Sequence, residues 1–286
     1  MNQSDKILIA GPWVGEFGWE LFAWQGYVRA LSRKFDQTVI ICRDLSRPLY
    51  KDFCNNFISI NPQGGLADSF FMHGVNFNEL LRQVLMEKEN SLMSKNPTIF
   101  IPRRIGFPPL THYSEIIKLG EYKIVPEYFQ YGNKGEKKYD YIFHVRQRQL
   151  RPQHNWEISK WKKLLKYFSI QKKNVACVGT KSQAEHLPGT VDLRDKDLTE
   201  VFNAMTNAHC TFGPSSGPMH LASLCGCPHV VWSESDNKIR YEKNWNPLKT
   251  KILLLSEFGF QPTADYVFEK FNNWQQTSYN TINKEN

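Results

Sequence analysis

The chain alternates short β-rich apolar runs with longer helical patterns, and this alternation starts afresh near its middle. In the first half the runs are KILIA, TVIIC and TIFIP, and in the second half they are YIFHV, NVACV, HCTFG and PHVVW. Such alternation is typical of parallel sheets covered by crossover helices. A length of 286 residues also exceeds one ordinary compact domain. We therefore predict an α/β protein of two Rossmann-like domains whose parallel sheets face a central cleft.

The predicted domain boundary is the Gly- and Lys-rich stretch YGNKGEKK at 131–138, whose composition is typical of a linker. It separates an N-terminal domain at 1–130 from a C-terminal domain at 139–262. A last helix and a polar tail, expected to fray, occupy 263–286. Whether that helix crosses back onto the first domain is left open by the sequence.

The composition narrows the class of protein. Lys and Arg number 36 against 28 Asp and Glu, and the net charge of +8 should attract anionic substrates or polyanions. No run approaches the roughly 18 apolar residues of a membrane span, and the N-terminus lacks the basic region and cleavage site of a signal peptide. Six cysteines without a C-x-x-C pair indicate free core thiols in a reducing compartment. We expect a cytoplasmic protein without a transmembrane segment or metal site.

A glycine-rich loop, GPWVGEFGWE at 11–20, joins the first predicted strand to a helix. Its glycines let the backbone approach a ligand, and the spacing is not that of a dinucleotide-binding loop. Two carboxylates in it, Glu16 and Glu20, are candidate general bases for an acceptor hydroxyl. The following helix, from about 20 to 34, has one apolar face expected in the core, formed by Leu21, Trp24, Val28, Leu31 and Phe35.

A second loop, GPSSGPMHLASLCGCP at 213–228, lies between the strands HCTFG and PHVVW. Ser215 or Ser216 is placed to cap a helix starting near Gly217, whose free N–H groups would face a phosphate. His220 comes about one turn later, either in that site or as a buried core histidine. The loop therefore predicts a cradle for the diphosphate of a nucleotide.

The second loop and its neighbours resemble the heptosyltransferase-like glycosyltransferases of family nine, which have the two-domain GT-B fold. The run TFGPSSGPMHLASLCGCPHVVW is similar to the family segment D-S/T-G-x-x-H-L-A-x-A-x-G-x-P-V-V. NVACVGTKSQAEHL and DLRDKDLTEVFNAMTNAHC resemble the parts that precede that segment in the family. GWELFAWQGYVRAL is similar to the family's G-D-x-x-x-x-x-P-A-x-R-A-L, and this alignment implies that Glu20 occupies the position of the catalytic aspartate.

The chain departs from the family pattern at three places. Ser215 stands where the family has an aspartate that touches the donor sugar, Glu20 is one methylene longer than the family base, and the family's Lys-Arg-Trp-Pro is replaced by HNWE. The cationic contact to the donor phosphates therefore falls to the arginines that follow YIFHV, chiefly Arg146 and Arg148. Asp195 and Asp197 resemble a D-x-D metal motif, which we reject because GT-B enzymes commonly hold the diphosphate with helix dipoles and cations.

The resemblance implies a single-step inverting glycosyl transfer that needs no metal or other cofactor, with a nucleotide sugar as donor. Glu20, with Glu16 as substitute, would deprotonate the acceptor hydroxyl. Arg146 and Arg148, together with Ser215, Ser216, Gly217 and His220, would bind the donor. The acceptor side is expected to include Gly18, Trp13, Trp19, Arg103 and Arg104.

Three hypotheses remain for the function. A saccharide acceptor, of the surface glycan or lipopolysaccharide core type, follows from the resemblance. Tryptophans beside a carboxylate, and arginines and lysines interleaved with aromatic residues, also suit a hydroxymethylated base swung out of double-stranded DNA, as in the DNA glycosyltransferases of tailed phages. A non-catalytic nucleotide-sugar-binding module is the third hypothesis, favoured if Glu20 points away from the site.

Overall fold

The computed structural model describes residues 6–61, 76–102 and 117–282. It divides into two compact units, Met1–Tyr128 and Phe129–Asn286, which we call the N-terminal and C-terminal units. No helix in the described ranges is long and apolar enough to cross a membrane.

The N-terminal unit contains a four-stranded parallel sheet in the order β3, β2, β1, β4. Its strands are β1 (Ile7–Ala10), β2 (Gln37–Cys42), β3 (Asn56–Ser59) and β4 (Thr98–Phe100). All four residues of β1 are buried, as its unbroken apolar sequence requires. An antiparallel hairpin of β5 (Ile117–Leu119) and β6 (Tyr122–Ile124) follows.

The helix after β1 is not uniform. It starts as α1 (Phe17–Trp19), widens into a π-helical turn (Glu20–Trp24) and continues as α2 (Gln25–Ser32). The predicted apolar face is confirmed at four of its five positions, since Leu21, Trp24, Val28 and Leu31 are buried, whereas Phe35 is only half-buried. Among the described residues of this unit, the other helices are α3 (Phe77–Lys88) and the 3-10 helices Asp44–Leu49 and Asn90–Lys95.

The C-terminal unit contains a six-stranded parallel sheet in the order β12, β11, β10, β7, β8, β9. Its strands are β7 (Tyr141–Phe143), β8 (Val175–Gly179), β9 (Val191–Arg194), β10 (Cys210–Pro214), β11 (His229–Trp232) and β12 (Ile252–Leu255). This is the strand order of a dinucleotide-binding Rossmann sheet. The chain adds β8 and β9 on one side of β7 and then β10, β11 and β12 on the other, so the strand order reverses between β7 and β10. The two parallel sheets confirm the predicted α/β class.

Helices connect or follow the strands of the C-terminal sheet. They are α4 (Ile158–Ile170), α5 (Leu198–Thr206), α6 (Gly217–Leu224) and the last helix α7 (Ala264–Ile282), with 3-10 helices at Pro152–His154 and Ser235–Asn237 and a π-helical turn at Arg240–Asn244. The core between α4, α7 and the sheet is rich in aromatic rings, including Phe143, Trp161, Phe168 and Phe271.

Two predicted segments belong to the C-terminal unit. The stretch 131–138 has no helix or strand, as expected of a linker, but its backbone is hydrogen-bonded to α5 and the turn after it, at Asn203 and Asn207. The last helix packs on α4, where Lys163 and Tyr167 both bond Asp265.

Candidate functional site

The loop after β1 is folded tightly against the neighbouring strands. Gly11 donates to Phe100 O (2.9 Å) and Trp13 donates to Ile41 O (3.0 Å). Gly11 has φ of +123°, and a side chain there would overlap the Ile41 carbonyl oxygen. This glycine is therefore required by the approach of β2, and not by the approach of a ligand as the sequence suggested.

An arginine that the sequence analysis missed fixes the next residues of this loop. Arg43 follows β2 directly, and its guanidinium donates to Val14 O (2.7 Å) and Gly15 O (2.8 Å). Its side chain is buried. The two bonds use the planar fork of the guanidinium and hold two consecutive peptide groups.

Glu20 lies in the interior and not at an accessible surface. Its carboxylate accepts hydrogen bonds from Cys42 Sγ (3.0 Å), Ser46 Oγ (2.9 Å) and Tyr50 Oη (2.7 Å), and its relative exposure is 0%. Burial raises the pKa of Glu20 above its usual range, an effect opposed by the Cys42 hydrogen bond and the charge of Arg43. Glu20, which the alignment placed at the position of the catalytic aspartate, is thus enclosed by protein, because the π-helical turn directs its side chain toward β2.

The other predicted residues of this loop differ in exposure. Glu16 is the residue before α1 and is half-exposed, as are Gly18 and Trp19. Trp13 is fully buried and stacks on Trp24 at 5.4 Å between ring centroids, so its ring packs in the core and is not presented to an acceptor. Arg103 and Arg104 lie outside the described residues.

The loop after β10 leads into α6. Ser215 donates its N–H to Trp232 O (3.0 Å) and its hydroxyl accepts from Tyr241 Oη (3.1 Å). Ser216 is the N-cap residue of α6, as predicted, but its side chain makes no capping bond; the buried hydroxyl has no hydrogen-bond partner within the described ranges. Gly217 is the first residue of the helix, and its N–H points away from the hydrogen-bonded turns that follow.

Close packing holds the start of α6 in place. A Cβ atom at Gly213 would lie 2.7 Å from Met219 Sδ and 3.2 Å from His144 Cβ. His220 is buried and stacks on Tyr241 at 4.4 Å. Burial lowers the pKa of His220 well below its usual range, so the ring is neutral. His220 therefore supports the helix from the core side, which is the second of the two roles that the sequence left open.

The two predicted arginines after β7 have different environments. The Arg146 guanidinium is buried and donates to Leu150 O (3.1 Å), Arg151 O (3.2 Å) and Asn155 Oδ1, which ties down its own loop instead of facing a donor. Arg148 is half-buried, and its guanidinium makes no hydrogen bond or ion pair with the part of the chain that is described. Asn155 also accepts from Arg148 N (3.0 Å), which fixes the backbone beneath that cation.

The rejected D-x-D pair has roles within the fold. Asp195 accepts from the Lys181 N–H (3.1 Å), and Asp197 caps α5 by accepting from the Thr199 N–H (2.7 Å). The Asp197 carboxylate thus caps the amino end of α5, and the Asp195 carboxylate holds the turn at Lys181.

The loops after β7 and β10 lie side by side, because these two strands are paired. They occupy the point where the strand order of the sheet reverses, and ligands of open α/β sheets bind at the carboxyl ends of strands at such a point. The start of α6 and Arg148 supply N–H groups and a cation there, which suits an anionic ligand. This edge is the candidate donor site.

Several residues of these sites were not predicted. Arg43 bonds the glycine-rich loop, Ser46 and Tyr50 enclose Glu20, Tyr241 joins Ser215 to α6, and Asn155 orders the arginine loop. One signal was available, since Arg43 is a charged residue placed directly after a buried strand. The remaining contacts join residues up to 30 positions apart and have no local pattern.

Comparison with known sequences gives no relative: no family model matches the chain, and no curated protein matches it.

Solved structures do resemble it. ADP-heptose LPS heptosyltransferase II of E. coli matches with a TM-score of 0.63 at 14% identity, covering 96% of this chain and 99% of that one. A family 9 glycosyl transferase of Veillonella parvula gives 0.60 at 11% identity, covering 96% and 98%. The E. coli heptosyltransferase WaaC with ADP gives 0.57 at 11% identity, covering 94% and 99%. The chain therefore has the GT-B fold of these glycosyltransferases, as predicted.

Proposed function

We propose that the protein is a glycosyltransferase that moves a sugar from a nucleoside-diphosphate sugar to a saccharide hydroxyl. The observation that carries this proposal is the donor edge of the C-terminal unit, where the start of α6 and Arg148 flank the reversal point of a Rossmann sheet. The fold-level likeness to an ADP-heptose LPS heptosyltransferase and to a heptosyltransferase with ADP supports a nucleotide sugar as donor and a lipopolysaccharide-type saccharide as acceptor.

The donor diphosphate binds to α6 without a metal ion in this proposal. The Gly217 N–H, the Ser216 hydroxyl and the helix dipole stabilise the negative charge that develops on the leaving group, and Arg148 neutralises part of it. Asp195 and Asp197 take no part in this proposal, in which they hold the Lys181 and Thr199 backbone N–H groups.

Glu16 is the proposed general base. It is half-exposed at the carboxyl end of β1, whereas Glu20 is enclosed by three hydrogen-bond donors. The Glu16 carboxylate takes the proton of the acceptor hydroxyl as its oxygen attacks the anomeric carbon. The bond from that carbon to the diphosphate oxygen breaks in the same step, which inverts the anomeric centre and releases the nucleoside diphosphate.

A duplex DNA acceptor loses its main support, since Trp13 and Trp24 stack on each other in the core and cannot hold an extruded base. Trp19 is half-exposed and is compatible with either acceptor, because aromatic rings also stack on sugars.

The test is turnover of ADP-, GDP- and UDP-sugars by the purified full chain, followed by mass spectrometry. One arm contains lipopolysaccharide core oligosaccharide and the other contains hydroxymethylated duplex DNA. We expect a nucleoside diphosphate and an oligosaccharide heavier by one sugar, with or without a chelator. A DNA strand heavier by one sugar would show that the acceptor is DNA and not a saccharide. Binding of nucleotide sugars without any product would favour a non-catalytic module. Loss of turnover with chelator would contradict the metal-free mechanism.

A further inference from the structure

We propose that Arg43 is a positioning residue that holds the Glu16 loop in its working geometry. This inference rests on the proposed role of Glu16 as base. Arg43 does not need to touch a substrate for this role, and its side chain is enclosed by the N-terminal unit.

The loop is clamped on both sides of Glu16. Arg43 donates to the carbonyl oxygens of the two residues before it, Val14 (2.7 Å) and Gly15 (2.8 Å). On the other side, the Glu20 N–H donates to Glu16 O (3.0 Å). The peptide groups that flank Glu16 therefore have their orientation fixed by one side chain and one helical turn.

The buried charge of Arg43 requires compensation. Taking a guanidinium out of water is costly unless an opposite charge and hydrogen bonds accompany it. The Val14 and Gly15 carbonyl oxygens supply the hydrogen bonds, and the Arg43 charge in turn lowers the pKa of nearby Glu20 against the larger effect of burial. An arginine enclosed in this way is a costly means of stabilising a fold, and its two bonds end at the backbone next to the half-exposed Glu16.

The experiment compares Arg43→Ala with Arg29→Ala in the full chain. Arg29 is a second buried arginine of the same unit, and its guanidinium bonds Asp52 and Leu49 O. Hydrogen exchange of peptides covering 11–19, donor affinity, KM and kcat are measured for both variants. For Arg43→Ala we expect faster exchange in 11–19 and a kcat lower by roughly 10²-fold with donor affinity unchanged, since small misplacements of a catalytic group have such effects. Arg29→Ala should leave both unchanged at temperatures where it is folded.

Two further measurements separate positioning from stability. Millimolar guanidinium should restore part of the kcat of Arg43→Ala and none of any deficit of Arg29→Ala. Arg43→Lys keeps the charge beside Glu20 but lacks the fork, so it should fold and give intermediate kcat and exchange. Unchanged exchange in 11–19, or a kcat loss equal in the two alanine variants, would overturn the inference. If the wild-type chain transfers no sugar, the proposed function fails, whereas the exchange result still decides whether Arg43 holds the loop.

Discussion

The two functional loops follow parallel strands in similar folds, yet different forces hold them. The loop after β1 is fixed by a buried charged group, the Arg43 guanidinium, which bonds two of its carbonyl oxygens. The loop after β10 is fixed by neutral groups: Tyr241 bonds Ser215, and His220 of α6 stacks on Tyr241.

The difference suits what each loop is proposed to do. A base must be aimed to within a fraction of an ångström, and a bidentate guanidinium fixes peptide orientation strongly. A phosphate site must instead keep its N–H groups unused, and packing of neutral rings holds a helix without consuming them. The two units should therefore respond differently to substitution and to pH.

The largest expected effect is on turnover. Glu16→Gln should lower kcat by about 10²- to 10⁴-fold with donor affinity little changed, because it removes the group that accepts the proton. Steady-state kinetics at saturating donor measures this effect. Glu20→Gln is the matched control: burial raises the pKa of this carboxyl group, so a neutral amide of the same size should leave the N-terminal unit folded and affect kcat much less. The reverse pattern would return the base to Glu20.

Mild acid should distinguish the units next. Burial lowers the pKa of His144 and of His229 to about 4, from a reference of 6.5. The stabilisation by these neutral rings is fully present above pH 6.5 and is lost as the pH falls toward 4. At pH 5 each histidine should have lowered the free energy of unfolding by about 2 kcal/mol. Burial raises the pKa of Glu20, so its contribution has the opposite sign: it is present below 4.5 and lost as the pH rises through the folded pKa.

Hydrogen exchange between pH 7 and 5, corrected for intrinsic rates, resolves the two sheets. Peptides from β7, β10 and β11 should lose protection on acidification, and those from β1 and β2 should lose less. Equal losses in both sheets would show that the buried histidines do not set the acid response.

A smaller effect is expected at the packing of α6. Gly213→Ala places a methyl group 2.7 Å from Met219 Sδ, and the resulting shift of the helix start should weaken nucleoside-diphosphate binding by roughly tenfold. Gly135→Ala is the control, because a Cβ atom there meets nothing within 4 Å. Calorimetric titration with ADP compares the two variants. Equal affinities would mean that the start of α6 does not contact the diphosphate.

The smallest effect is expected at Arg148. Its guanidinium is half-buried and therefore partly screened, so Arg148→Gln should weaken ADP binding by about fivefold and reduce its salt dependence. Lys172→Gln removes an exposed charge elsewhere in the same unit and should have no effect. Equal salt dependence in both variants would remove Arg148 from the site.

Periodicity predicted much of this fold because it reports which residues are buried. The helix face containing Trp24 and Leu31 followed from apolar spacing, and so did β1, β2 and β4 of the first sheet and β7, β8, β10 and β11 of the second. The strands β3, β9 and β12 were not predicted. The π-helical turn at Glu20–Trp24 did not, since its extra residue per turn depends on tertiary contacts such as the bond from Tyr128 Oη to Phe22 O (2.6 Å).

The sites were harder to predict than the fold. Alignment placed the base at Glu20, but alignment does not show that Cys42, Ser46 and Tyr50 enclose this side chain. Arg146 has the right residue type at a strand end, yet Asn155, nine positions later, captures it. The sequence around a residue indicates which chemistry its side chain could perform. Whether that side chain is accessible to a substrate depends on contacts with residues far away in the sequence.

Hydrogen exchange of the full chain with and without saturating ADP, UDP or GDP most directly tests the claim that the C-terminal unit holds the donor diphosphate. At least one of the three should protect the peptides covering 213–222 and 146–151 and leave 11–19 unchanged. Protection confined to 11–19, or protection that spares the start of α6 although the nucleotide is bound, would contradict the claim.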